Sequence, residues 1–257
     1  NLALGHNALN QNTIGNTNIA IGENALFSNV SGSNATAIGT NAMQFSNNNS
    51  SSFMNFNTAV GYEALRGSLD PSANIGNNNT ALGYHSLFGN TSGQDNIAIG
   101  LNALTSNTTG NYNFAIGSHS LASNVGGSNN IATGYRALYT NSSGVANIAI
   151  GHNSLDANTN GSNNVAMGIQ SLLSNTTGGQ NTSVGYGALH SNVSGSQNSA
   201  FGFQANVGSD NLVNATAIGY GAIVNGNNTI QLGNPFITKV LAGTGTNATV
   251  VAGGLQI

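Results

Sequence analysis

A glycine recurs along this chain with a beat of 17 residues: Gly5, Gly22, Gly39, Gly61, Gly83, Gly100, Gly117, Gly134, Gly151, Gly168, Gly185, Gly202 and Gly219. Ten of the twelve intervals are 17 residues and two are 22, and Gly233 follows after 14. Self-similarity at such a period marks a repeat architecture, in which each unit buries its apolar face only by stacking on the next. Seventeen residues is too short for a helical-hairpin unit and suits one coil of a β-solenoid.

The columns around that glycine carry the physics. Two residues before it stands Ala in every unit except one, where Ser183 replaces it. One before is apolar in twelve of thirteen, Thr133 being the exception, and three after is always Ala or Ser. Four after is Leu, Met or Ile except at Asn206, and Asn opens the run in eleven units. A run such as Asn96-Ile-Ala-Ile-Gly100 alternates as a strand does, with the Ile residues on one face and Ala on the other. The glycine marks a bend, NALFSN-like segments form a second extended piece, and NTTG-like segments close the coil as turns where positive φ is cheap. The large apolar columns read as a thin core. The Ala/Ser columns read as a smooth second face on which another backbone packs, which favours a symmetric oligomer. Thirteen coils spaced by about 4.8 Å predict a rod of roughly 60 Å.

Composition fits a surface with little charge to spend. Charged residues make up 4% of the chain, against roughly a quarter in ordinary domains. Asn occurs 47 times, whereas Cys and Trp are absent. Drifting low-complexity sequence would not hold large and small apolar columns in phase. Three basic residues, Arg66, Arg136 and Lys239, cannot neutralise a run of phosphates, so nucleic acid is not an expected partner. No apolar run reaches the roughly 18 residues a membrane span needs, and no signal peptide opens the chain, which reads as an internal piece of a longer protein.

The motif N-[IT]-A-I-G-x-N-A-L resembles the head repeats of trimeric autotransporter adhesins of the YadA type. The likeness runs over residues 1–233 and is nearest in AIGYGAIVNGNNTIQLG. The longer 17-residue unit with its NTTG turn is also similar to repeats of trimeric phage tail fibres and related bacterial fibres. The resemblance implies an all-β, left-handed parallel β-roll of about 13 rungs, three chains about one axis, on a cell surface or virion appendage. It implies an extracellular location and host, prey or surface attachment, with no particular ligand. Neither a coiled-coil stalk nor a membrane-anchor barrel is present, so autotransport is not implied.

Sites for chemistry are sparse. His6, His85, His119, His152 and His190 read as exposed polar residues; His85 and His119 share a column but lie two rungs, roughly 9–10 Å, apart. No Cys or carboxylate cluster accompanies them, so no metal, cofactor or catalytic residue is expected. Asn-x-Ser/Thr triplets such as Asn107-Thr-Thr read as by-products of the turns. The column just after the glycine holds Tyr62, Tyr84, Tyr135, Tyr186 and Tyr220, which either present aromatic platforms or fill space between rungs. The two longer units, within residues 40–82, each add five residues. Their insertions are expected on one side of the rod, placing Phe45, Phe53, Met54, Phe56, Arg66 and Asp70, with Tyr62 and Tyr84, as candidate receptor contacts. After Gly233 the beat is lost, and residues 234–257 read as a transition to another segment. The expected function is a non-enzymatic segment of an extracellular homotrimeric fibre or adhesin, with a cell-surface glycan or protein receptor and no membrane insertion. The alternatives are an ice- or surface-binding solenoid and a purely structural spacer.

Overall fold

The structure, a computed structural model, describes residues 1–240. Each apolar run forms a three-residue strand, and among the described residues fourteen such strands stack in parallel into one sheet. The register follows the repeat: Ala98 pairs with Ala115, Ala115 with Ala132 and Ala132 with Ala149. It survives the longer units too, where Ala37 pairs with Ala59 and Ala59 with Ala81. The inserted residues therefore leave the sheet without shifting it. The chain is a β-solenoid of about 14 coils, closed by Ile230–Leu232.

The strand faces are the reverse of those read from the alternation. The Ala column points into the coil: Ala98, Ala115, Ala132 and Ala149 are fully buried. Inside, it meets the second small column and the buried Leu column of Leu104, Leu121 and Leu138. Ser183 and Ser171, one from each small column, touch across this interior with 2.6 Å between their hydroxyl oxygens. The coil is too narrow for a branched side chain opposite Leu, so the larger strand residues turn outward. Leu82, Ile150, Met167 and Ile218 remain about two-fifths exposed (45%, 38%, 42% and 42%).

The second leg is not extended over most of the rod. The residue two after each motif glycine has φ between 52° and 60°, and the Leu/Met column four after it has φ of 47–53° in eleven coils. Left-handed backbone is costly for a residue bearing a Cβ. Here, for each strained Leu, burial and a hydrogen bond to the next coil offset that cost. Its side chain is buried and its N–H donates to the next coil, as from Leu104 to the Ser120 carbonyl at 3.0 Å. Only near the end does this leg form true strands, Asn206–Val207 pairing with Ile223–Val224. There Val207 takes the buried role and Asn206 turns outward, which accounts for the break in the Leu column.

Two ladders of buried asparagine explain the composition. Asn113 donates its amide to the Gly127 carbonyl (2.8 Å), and its Oδ1 accepts from the Asn130 backbone N–H and amide (both 3.1 Å). In the turn column, Asn107 donates to Asn90 Oδ1 (2.8 Å) and the Gly110 carbonyl (3.1 Å), and its Oδ1 accepts from Asn124 at 2.8 Å. An amide offers donor and acceptor at once, so one residue type repeated each coil satisfies itself without charge. Asn107 is fully buried, which removes its sequon from the surface. The turn glycines are not at positive φ; that conformation falls two residues later, at Tyr112 and Asn129. Glycine is required at Gly110 because a Cβ would lie 2.3 Å from the Gly127 carbonyl oxygen. The motif glycines need both properties: Gly117 has φ of +133°, and a Cβ there would lie 2.5 Å from the Gly134 oxygen.

Of the expected transition segment, residues 241–257 lie outside the described residues, and 234–240 contain no strand. No helix is long and apolar enough to cross a membrane among the described residues.

Candidate receptor-binding face

Up to Leu189 the second leg sends its +3 and +4 residues inward, so the residues one and two after each glycine, with most of those five after it, line an outward stripe along the rod. Nearly all the chemical variety of the chain sits there. The Tyr column packs on itself: Tyr62 and Tyr84 stack at 5.5 Å, Tyr186 and Phe203 at 5.1 Å, and Phe203 and Tyr220 at 5.4 Å. Interplanar angles of 9–11° mean that one ring covers the face of the next. The ring edges and hydroxyls, rather than open ring faces, are what this column presents.

At the longer units the stripe becomes charged. Glu63 Oε2 lies 2.9 Å from His85 Nε2, and Glu63 Oε1 accepts from Arg66 at 3.5 Å and from Asn41 at 3.3 Å. The Arg66 guanidinium sits over Phe88 at 4.1 Å and Phe45 at 5.5 Å, while His85 stacks on Tyr84 at 3.9 Å. Side-chain exposures of 12% for Glu63 and 23% for Arg66 show a cluster packed into the rod rather than waving from it. His85, read from sequence as an exposed polar residue, packs against Glu63 in this cluster with 25% exposure.

Of the residues expected as receptor contacts, the structure brings Phe45, Tyr62, Arg66 and Tyr84 together. It separates the others. Phe53 and Met54 form a short strand on Gly32–Ser33, with the Phe53 ring against Gly32 on the turn side. Phe56, at φ 49° and 53% exposed, lies in the positive-φ column of the turns. Asp70 caps a short 3-10 turn at Pro71–Ala73, its Oδ1 accepting from Ser72 N–H at 3.0 Å. The insertions do meet, through Asn74, whose amide donates to the Phe45 carbonyl. Sequence reading missed Glu63, His85 and Phe88; aligning the +2 and +5 columns of neighbouring coils would have found them.

A second charged cluster follows on the same stripe. Arg136 makes a bidentate pair with Asp156 (2.8 and 3.0 Å) and lies over Tyr139 at 4.2 Å. The Asp156 hydrogen bonds hold its guanidinium above the usual arginine pKa, keeping it charged. His152 stacks on Tyr135 beside it at 5.1 Å. Among the described residues, no three His, Cys, Asp or Glu side chains are grouped as a metal site requires. No protein-family model matches the chain, and no curated protein matches it in sequence.

Proposed function

We propose that this chain is a rod segment of an extracellular, homotrimeric attachment fibre, with no catalytic role. The observation that carries this reading is the outer face of the sheet. The column one before each motif glycine is apolar in twelve of thirteen coils and leaves Leu82, Ile150, Met167 and Ile218 about two-fifths exposed. The column beside it, three before the glycine, is apolar in seven coils, Phe114 and Ile131 among them, and Thr or Ser in six, and the two run along roughly 60 Å of rod. Monomeric proteins rarely leave a contiguous apolar surface of that extent in water. Copies of the same chain, sharing the same coil spacing, are the partners that match it along its whole length. The likeness of the motif to trimeric adhesin and tail-fibre repeats supports three copies.

The charged and aromatic stripe lies on the other leg of each coil and stays available to a receptor. A trimer presents each such patch three times, so weak contacts add through avidity. Light scattering of the isolated chain tests the reading. A mass near three times 25.8 kDa is expected, and a well-folded, stable monomer overturns it.

A further inference from the structure

Near its end the stripe opens into a groove. The column two after each motif glycine carries a side chain in eleven coils: Asn7, Asn24, Asn41, Glu63, His85, Asn102, His119, Arg136, Asn153, Gln170 and Gln204. At Gly187 and Gly221 it carries none. A cleft of about 360 Å³ fills that space, lined by Gln170, Tyr186, His190, Gln204, Asn206 and Ile223 beside the two glycines. A neighbouring cleft of about 410 Å³ shares Gly221 and Ile223 and continues to Asn225 and Gln231. Together they run over five coils, roughly 20 Å along the rod.

We infer that this groove binds a neutral, linear oligosaccharide. Its lining contains no carboxylate, lysine or arginine, and His190 is the one basic side chain in it. The lining offers amides instead, at Gln170, Gln204 and Asn225, while the Asn206 amide is held by Ser191 and the Val207 N–H and Gln231 Nε2 donates to the Gly233 carbonyl. Each amide donates and accepts, as each sugar hydroxyl does. Tyr186 is the one aromatic ring in the lining, held in place by its stack on Phe203, and it supplies an apolar surface with a polar tip. The volume falls in the range of ligand sites, in a cleft open along one side. The amides recur with the coils, which suits an extended chain of repeating hydroxyls better than a compact ligand. The two missing side chains are not conformational necessities. Gly187 and Gly221 have φ of 59° and 60°, the same backbone that Asn adopts at Asn7 and Asn153. A Cβ at Gly187 would approach only Gln204 Cγ, at 3.6 Å, and one at Gly221 only Asn234, at 3.9 Å. Asn would fit both, so the open space is a choice of side chain and not of fold.

This inference rests on the attachment reading and is tested apart from it. The purified chain and its Gly187→Asn/Gly221→Asn variant are applied to a glycan microarray holding neutral, sialylated and sulfated oligosaccharides. Hits are titrated by calorimetry, and both proteins are sized by light scattering and melted. The chain should bind neutral linear glycans, and the variant should lose about tenfold or more in affinity at unchanged mass and melting temperature. Gln204→Ala, which opens the groove further while deleting one amide, should weaken binding in the same direction. Binding confined to charged glycans, undiminished binding by the Asn variant, or no glycan binding by the chain each overturns the groove assignment. None of those outcomes touches the trimer, whose failure would show independently in the light scattering.

Discussion

Ser183 and Ser171 face each other across the inside of the coil, 2.6 Å apart, and Ser183 Oγ also lies 2.7 Å from the Ala188 carbonyl. Ser183 is the one departure from Ala in its column, and it is paired with a serine from the opposite small column. The exception therefore reports the geometry: the two small columns oppose each other and enclose the interior. Ser183→Ala and Ser171→Ala should each cost about 1 kcal/mol, the net worth of one buried hydrogen bond. The double substitution should cost no more than either alone, because it removes both polar groups together. Unfolding of the four proteins in denaturant forms the cycle. Strictly additive losses would show that the two hydroxyls share no bond.

The same geometry makes the Ala column intolerant of size. Ala115 is fully buried between Ala98 and Ala132, facing the Leu column. Ala115→Phe should lower stability by on the order of 1–3 kcal/mol or more through overpacking. Ser118→Phe, on the outward stripe where Tyr and Phe stand in other coils, should be near neutral. Melting temperatures compare the two, and equal tolerance would contradict an inward Ala column.

The asparagine ladder predicts a cost that spreads to the next coil. Asn113→Ala strips the Asn130 N–H and amide of their shared acceptor and the Gly127 carbonyl of a donor. Each buried group left unpaired costs about 1–3 kcal/mol, so a loss of at least about 2 kcal/mol is expected. Hydrogen exchange at the Asn130 amide should accelerate relative to amides several coils away. The natural gap at Ala35 shows how the chain manages such a loss. There Asn55 Oδ1, from the first insertion, accepts from the Asn57 N–H at 3.0 Å. Asn55→Ala should therefore destabilise the insertion region, whereas unchanged exchange at Asn57 would dismiss that role.

The proposed trimer would pack through the outer strand face, and charge there should abolish it. Ile131 and Ile150, each 38% exposed, lie on adjacent strands in the two outward columns. Ile131→Lys/Ile150→Lys should reduce the scattering mass towards 25.8 kDa while the β spectrum by circular dichroism persists. A mass unchanged from that of the parent would remove this face from the interface.

Much of the architecture was legible because a solenoid writes the same constraint in every coil. The 17-residue beat, the strand at each apolar run, the parallel register and the bend at Gly117 and its equivalents follow from columns that no single unit could reveal. Alternation established that Ile and Ala lie on opposite sides of the strand. It could not say which side was inside, because a period of two is symmetric between the faces. The tertiary structure decided that. Leu from the other leg and the paired Asn amides already fill the coil, leaving room for only a methyl or a hydroxymethyl, so the larger strand side chains are pushed outward. The left-handed backbone at Leu104 and its equivalents was hidden for a related reason: local preference opposes it, and burial with cross-coil hydrogen bonds overrides it. The contact of Glu63 with His85, and the groove over Gly187 and Gly221, likewise exist only once coils are stacked. Residues about twenty apart in the chain become neighbours there, at a spacing set by the backbone ladder.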